Sequence, residues 1–346
     1  MLIQVPVEAG GEVVREEALL NTTRPRHANA VPLIEVLRDG VVESVHWAHV
    51  VISNAQGHRI LTWGDPDRTG PGRGCLTPFQ ALPIFLDQID ETRAITPLEM
   101  AIILGSHAGQ EVHQEAVRSL LRRVFLTPDH LILRQPKGAP SRLAHRCSGK
   151  HAAMIVHTRV SGNDVGCYAH PEAPVHHRIL TELLKLTRLI RSQVPLVVED
   201  CGVPVACLSL ERMAHLYAVL AAPSIAGGHA ASALGRMVSA WSTHPECLEG
   251  EGLFDTEIVR VTSGQILART GPSGMICAAL KDQKLGVAIK VESSVSGLAR
   301  RLLARVLGHL GVFSEATEEL LSKLATCGSR SFSGPFEKNL RFQLPD

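Results

Sequence analysis

The sequence predicts a mixed α/β fold in which strands near the two ends of the chain pair around an inserted helical region. Three observations carry that expectation. Segments rich in β-branched residues lie near both ends, around residues 41–53 and 264–292. Helical apolar spacing dominates much of what lies between them. No segment recurs at a fixed period, and 45% apolar against 20% charged residues over 346 positions supplies a substantial buried core.

In chain order, residues 1–30 carry Gly, Glu and Arg without periodicity and are expected to form an N-terminal arm. The main domain is expected over residues 31–324. Val41–His46 and His49–Ser53 are β-rich, and Asn54-Ala-Gln-Gly57 is a hairpin turn signal. Gly64–Gly74 is the longest stretch rich in Gly and Pro, and long loops of this kind often carry function. Ala116, Val117, Leu120, Leu121, Val124 and Phe125 follow the spacing of one buried helical face. Ile179, Leu180, Leu183, Leu184 and Leu186 form a second such face, and Leu298, Leu302, Leu303, Val306, Leu307 and Leu310 a third. Strands are expected at Leu196–Asp200, Gly264–Ala268 and Gly286–Glu292. The residues from 325 to 346 are polar and rich in Ser and Gly, and are expected to be a loosely held tail.

Composition narrows the function. A net charge of +1 argues against a dedicated nucleic-acid or anionic-membrane binder. No apolar run approaches the roughly 18 residues needed to span a bilayer. The N-terminus lacks a basic region ahead of an apolar stretch, so no signal peptide is expected and the cytoplasm is the default location. The cysteines at 75, 147, 167, 201, 207, 247, 277 and 327 contain no CxxC pair and read mostly as reduced thiols.

Three stretches could carry chemistry. Arg73-Gly-Cys-Leu-Thr-Pro-Phe-Gln-Ala-Leu82 follows the Gly/Pro-rich loop and places Cys75 and Thr77 at a junction where nucleophiles often lie, with no evident base. A buried thiol at Cys75 and a cap or turn role for Thr77 fit the same pattern. In His145-Arg-Cys-Ser-Gly-Lys-His151, Ser148 and Gly149 read as a helix entry, so Cys147 and Lys150 fall on one side. In Val197-Val-Glu-Asp-Cys-Gly-Val-Pro204 a strand ends in Glu199, Asp200 and Cys201. Together Cys147, Lys150 and Cys201 would supply two soft thiolates and an amine, a set suited to zinc provided the lysine is neutral. On spacing alone, two buried thiols and a surface lysine are the plainer reading.

The sequence resembles the asparaginase II family, the bacterial and fungal amidohydrolases of the Rhizobium etli inducible type. The resemblance runs from about Pro32 to Phe313. Its motifs include Val42-Glu-Ser-Val-His46, Gly64-Asp-Pro-Asp67, Pro78–Pro83, Ser106-His-Ala-Gly109, Cys147–His151, Asp200–Pro204, His244-Pro245, Gly250-Glu-Gly252 and Gly286–Glu292. It implies a fold like the serine β-lactamases and glutaminases, with a central antiparallel-rich sheet and a helical region. It also implies zinc held by Cys147, Lys150 and Cys201, a small amino-acid-like substrate and a homodimer.

The family's catalytic segment, Arg-Ser-Ser-x-Lys-Pro-Phe-Gln, is altered. Aligned on Pro78-Phe-Gln80, the Ser position is Gly74 and the Lys position is Thr77. In the family a neutral Lys one turn away takes the Ser proton. Cys75 is one residue off, about 100° round a helix. A second family lysine matches Arg269, which stays charged and cannot act as a base. The resemblance leaves Ser106, matching the family's second active-site serine, for which a helix N-cap is the plainer alternative. Arg73, Glu199, Asp200 and Arg269 are the remaining candidates for substrate contact. Two functions are expected from this. One is an asparaginase-like amidohydrolase, a version that fits a specialised biosynthetic enzyme, acting on an Asn-like amide or a related amino-acid derivative through altered residues. The other is a catalytically inactive homologue that binds a small amino-acid-like ligand or a protein partner.

Overall fold

A computed structural model describes residues 29–139, 141–325 and 340–342. Residues 1–28 of the expected arm and most of the expected tail lie outside the described residues.

The strands are β1 (Val31–Arg38), β2 (Val41–Asn54), β3 (Arg59–Trp63), β4 (Thr69–Pro71), β5 (Leu196–Val198), β6 (Pro204–Ser209), β7 (Ile266–Thr270), β8 (Met275–Leu280), β9 (Leu285–Val291) and β10 (Leu340–Phe342). The helices before β5 are α1 (Arg73–Leu86), α2 (Ile89–Thr92), α3 (Pro97–Ile102), α4 (Glu111–Arg122), α5 (Ser148–Val160) and α6 (Pro174–Thr187). Those after β6 are α7 (Leu210–Ala221), α8 (Gly228–Thr243), α9 (Phe254–Val261), α10 (Leu298–His309) and α11 (Glu315–Leu324).

The main sheet is antiparallel, in the order β10-β1-β2-β9-β8-β7, with β3 also paired to β2. Early and late strands meet at β2 and β9, in register from Ala48↔Val291 to Asn54↔Leu285. That pairing is the closure expected from β-rich segments at the two ends. The hairpin turn after β2 also forms where expected: Asn54 Oδ1 accepts from the backbone of Gln56 and His58. In the tail, residues 340–342 pair with Ile34–Val36 of β1.

Side chains alternate across a strand, so burial of consecutive residues means that both faces are covered. All six residues of β8 are buried, and both α7 and α10 pack against it. The α7 helix approaches the sheet so closely that a Cβ on Gly286 of β9 would stand 2.0 Å from the Ala214 carbonyl oxygen. Only glycine permits that approach. A second sheet, β4-β6-β5, sets the start of α1: Gly72 N donates to Ala206 O of β6 (3.0 Å), and Gln80 Nε2 donates to Pro204 O (3.2 Å). The α1 helix then runs through the interior with residues 75–85 buried, despite Pro78 and Pro83, each of which removes a helical N–H.

Two expectations need correction. The helix predicted through Phe125 ends at Arg122; Phe125 has φ +58° and is 86% exposed. The strand predicted over Leu196–Asp200 stops at Val198, because Glu199 turns back through a Glu199 N–H donated to Val203 O (2.9 Å). Among the described residues, no helix is long and apolar enough to cross a membrane.

Candidate functional site

Five chain segments converge on one pocket of about 230 Å³. The start of α1 contributes Arg73 and Gly74, and the loop after α3 contributes Ser106. The entry to α5 supplies His145, Arg146 and Cys147, the β5–β6 turn Glu199, Asp200 and Cys201, and the β7–β8 turn Thr270 and Pro272. Six residues singled out by sequence therefore line a common cavity: Arg73, Ser106, Cys147, Glu199, Asp200 and Cys201. Lys150 lies just beneath, its Nζ 2.7 Å from Glu199 Oε1, with both side chains almost wholly buried.

Local sequence explains how the lining is held. The β5–β6 turn closes with Gly202 N donating to Glu199 O at 2.8 Å, Gly202 adopting φ +94°. At the α5 entry, His145 Nδ1 accepts from Cys147 N (3.1 Å), and Ser148 N donates to His145 O (2.8 Å). Ser106 is fixed by its backbone, with its N–H donated to Leu248 O (2.9 Å). Its neighbour His107 donates from Nε2 to Ser148 Oγ (2.9 Å), because the Ser148 hydroxyl is itself spent on Leu143 O (2.7 Å). The Ser106 hydroxyl has no hydrogen-bond partner among the described residues. The N-cap of the following helix, α4, is Gln110, so Ser106 does not cap it.

The acids are already matched by cations. Glu199 holds Lys150, and exposed Asp200 accepts from Arg73 Nη2 at 2.5 Å. Burial opposes the Lys150 charge, but Glu199 and the two neighbouring thiols keep its pKa above the ordinary lysine value. The thiols form a pair of their own. A hydrogen bond with Cys147 draws Cys201 well below the usual thiol range against the effect of burial, with His151 and Lys150 acting in the same direction. The same contact pushes Cys147 up. His151 is buried beside Cys201, and its Nδ1 is 2.8 Å from the Tyr168 hydroxyl, which accepts from Ile132 N (2.8 Å).

Besides Lys150, three sequence-predicted residues lie outside the lining. Cys75 is fully buried and donates to Arg269 O at 3.2 Å. Thr77 is within α1, fully buried, and its hydroxyl has no partner, so it is neither cap nor turn. Arg269 is 1% exposed and ion-paired with Asp255 at 2.8 Å, with a further bond to Leu248 O (3.2 Å). Asp255 also accepts from Thr270 N and Thr270 Oγ1, and so fixes the β7–β8 turn over the start of α1. Gly74, at the family's nucleophile position, faces the pocket with no side chain. A Cβ there would lie 2.8 Å from Thr270 O and 3.3 Å from Gly271 Cα. Its neighbour Arg73 is in the left-handed region at φ +31°, an unusual conformation for a side-chain-bearing residue.

The soft donors Cys147 and Cys201 with the amine of Lys150 fit zinc by donor chemistry. Ligation would require Lys150 to give up the proton that Glu199 now stabilises. Among the described residues, no three His, Cys, Asp or Glu side chains gather as a metal-holding group, so any such site would depend on the lysine.

Sequence reasoning assigned no role to His145, Arg146, His151, Tyr168 or Thr270. The first three flank the Cys147-Lys150 motif and were visible there. Tyr168 and Thr270 reach the site only through tertiary packing.

Among solved structures, the chain is similar to a β-lactamase of Mycobacterium bovis, at 15% identity and a TM-score of 0.40, over 71% of this chain and 87% of that one. No curated protein matches it. The family model for L-asparaginase II matches residues 34–334, nearly the whole of the described fold. With that match over most of its length, the chain belongs to the L-asparaginase II family.

Proposed function

We propose that the pocket receives a small amide of asparagine-like shape and that the protein is an amidohydrolase whose reactive groups differ from the family's Ser-x-x-Lys pair. The supporting observation is the gathering of Ser106, Cys147, Cys201, Arg73, Glu199 and Asp200 around one cavity. Arg73 and the exposed Asp200 would meet the charged ends of an amino acid. Ser106, with its hydroxyl unengaged, would face the amide. Cys147, Lys150 and Cys201 would hold zinc, which when bound supplies a Lewis acid that polarises a carbonyl oxygen. Glu199 would keep Lys150 in place and accept its proton.

A second reading, a homologue that binds such a ligand without cleaving it, is favoured by one feature. At the start of α1 the nucleophile position carries no side chain and the base position is a buried threonine.

The two separate in one experiment. Ammonia release from L-asparagine is measured alongside zinc content on the same purified protein. The amidohydrolase predicts turnover, at least about a hundredfold lower in Ser106→Ala, and zinc near one per chain that is lost in Cys147→Ala. Asparagine binding with no turnover would leave the binding protein.

A further inference from the structure

A larger cavity of about 440 Å³ adjoins the first. It is lined by Pro136, Ala144, Glu249 and Leu253, and it shares Ser106, His145 and Arg146 with the smaller pocket. Together the two offer far more room than a free amino-acid amide fills. A terminal amide NH₂ at Ser106 would leave the second lobe to water.

The charges around the seam are matched, with one exception. Arg73 is bound to Asp200, Lys150 to Glu199, and Glu249 to Arg300 Nη2 at 2.5 Å. Arg146 is exposed, and its guanidinium has no hydrogen bond or ion pair among the described residues. Its backbone is not free to drift, because Arg146 O accepts from His107 N (3.1 Å) and the following Cys147 N–H is held by His145. The seam between the lobes thus presents an unengaged hydroxyl, that of Ser106, and an unengaged guanidinium. A guanidinium recognises a carboxylate through two parallel hydrogen bonds.

We propose that Arg146 sets the specificity of the site, selecting amides whose nitrogen carries a carboxylate-bearing substituent that extends into the second lobe. Free asparagine would fill only the first lobe. The proposal rests on the first pocket being an amide site. It requires a substituent carrying a carboxylate, because Glu249, the carboxylate in the second lobe, is already neutralised by Arg300.

Three probes separate size from charge: L-asparagine, N4-ethylasparagine and β-aspartylglycine. The last two differ in that a methyl replaces the carboxylate. Binding of each is measured by calorimetry at low salt to the full chain and to Arg146→Gln, a change at an exposed position. The unaltered protein is expected to bind β-aspartylglycine about fivefold tighter than N4-ethylasparagine, the scale of a solvent-exposed ion pair. In Arg146→Gln the two should bind alike. Equal binding of the two larger probes to the unaltered protein would overturn the specificity role alone, as would a preference that survives in Arg146→Gln. Failure of all three probes to bind would overturn the amide site itself, and the specificity role with it.

Discussion

Two helix starts open on the same pocket with the same spacing of interest. In α1 the pair is Gly74 and Thr77; at the entry to α5 it is Cys147 and Lys150. Residues three apart on a helix share a side, so each pair could in principle act together. At α5 both side chains reach the site: the thiol lies at the pocket wall beside Cys201, and the lysine beneath it reaches Glu199 at 2.7 Å. At α1 they do not, since the first position has no side chain and the second is sealed in the core with an unpartnered hydroxyl. The spacing of a motif therefore specifies a direction, and the surrounding backbone decides whether a reactive group can stand there. At Gly74 that backbone is the β7–β8 turn, drawn down by the Asp255 hydrogen bonds to Thr270.

The strongest way to break this contrast is to reinstall the family's pair. Gly74→Ser would force a Cβ against the Thr270 carbonyl, and Thr77→Lys would place an ammonium at a fully buried position. Overpacking of one position and an uncompensated buried charge at the other should together cost about 5 kcal/mol. Urea unfolding of the double variant measures this. A variant that folds with near-native stability and gains asparaginase turnover would show that the α1 start is merely missing its groups and not closed over them.

The α5 side breaks differently. Glu199→Gln removes the only carboxylate bonded to the Lys150 ammonium among the described residues, leaving that charge unpaired at 2% exposure. Loss of one partner from a buried ion pair should destabilise the protein by about 3 kcal/mol when measured with a chelator present. Glu199→Gln combined with Lys150→Met should recover much of that loss, because no buried charge remains. If the double variant is no more stable than Glu199→Gln alone, the lysine is not held by the pairing that geometry indicates.

How far the sequence foresaw all this divides along the same line. The meeting of β2 with β9 was legible because both are β-rich segments whose partners must come from the opposite end of the chain. The Cys147-Lys150 side was legible because its donors are distinctive residue types on a recognisable helix entry. Missed were features that arise between distant segments. The β8 segment Met-Ile-Cys-Ala-Ala-Leu is buried on both faces and has no alternation to read. Periodicity ran on to Phe125 because nothing in the apolar spacing marks the left-handed turn that ends the helix. The contact of Gly74 with Thr270 and the free guanidinium of Arg146 depend on which loops arrive beside them.

The smallest effect expected concerns the approach to α1, and it carries a pH signature. Arg68, in the loop before the helix, donates to both oxygens of Glu292 at the end of β9, at 2.7 and 3.3 Å. His49 Nε2 and Lys290 Nζ lie 3.5 and 3.7 Å away from the same carboxylate. Burial works against the Glu292 charge, but the nearby His49 ring and the Arg68 hydrogen bonds outweigh it and hold its pKa down to about 2. An unfolded glutamate titrates at about 4.3. Its folded pKa being the lower, Glu292 contributes stability that is fully present above about 4.3 and is lost as pH falls toward about 2. Glu292→Gln should therefore cost about 2 kcal/mol at neutral pH, the scale of hydrogen bonds to a charged group. The difference from the unaltered protein should shrink steadily as pH falls between those values, followed by urea unfolding at a series of pH values. A gap that stays constant down to pH ~3 would mean that the loop is tied to the sheet by packing, and that the approach to α1 owes little to this carboxylate.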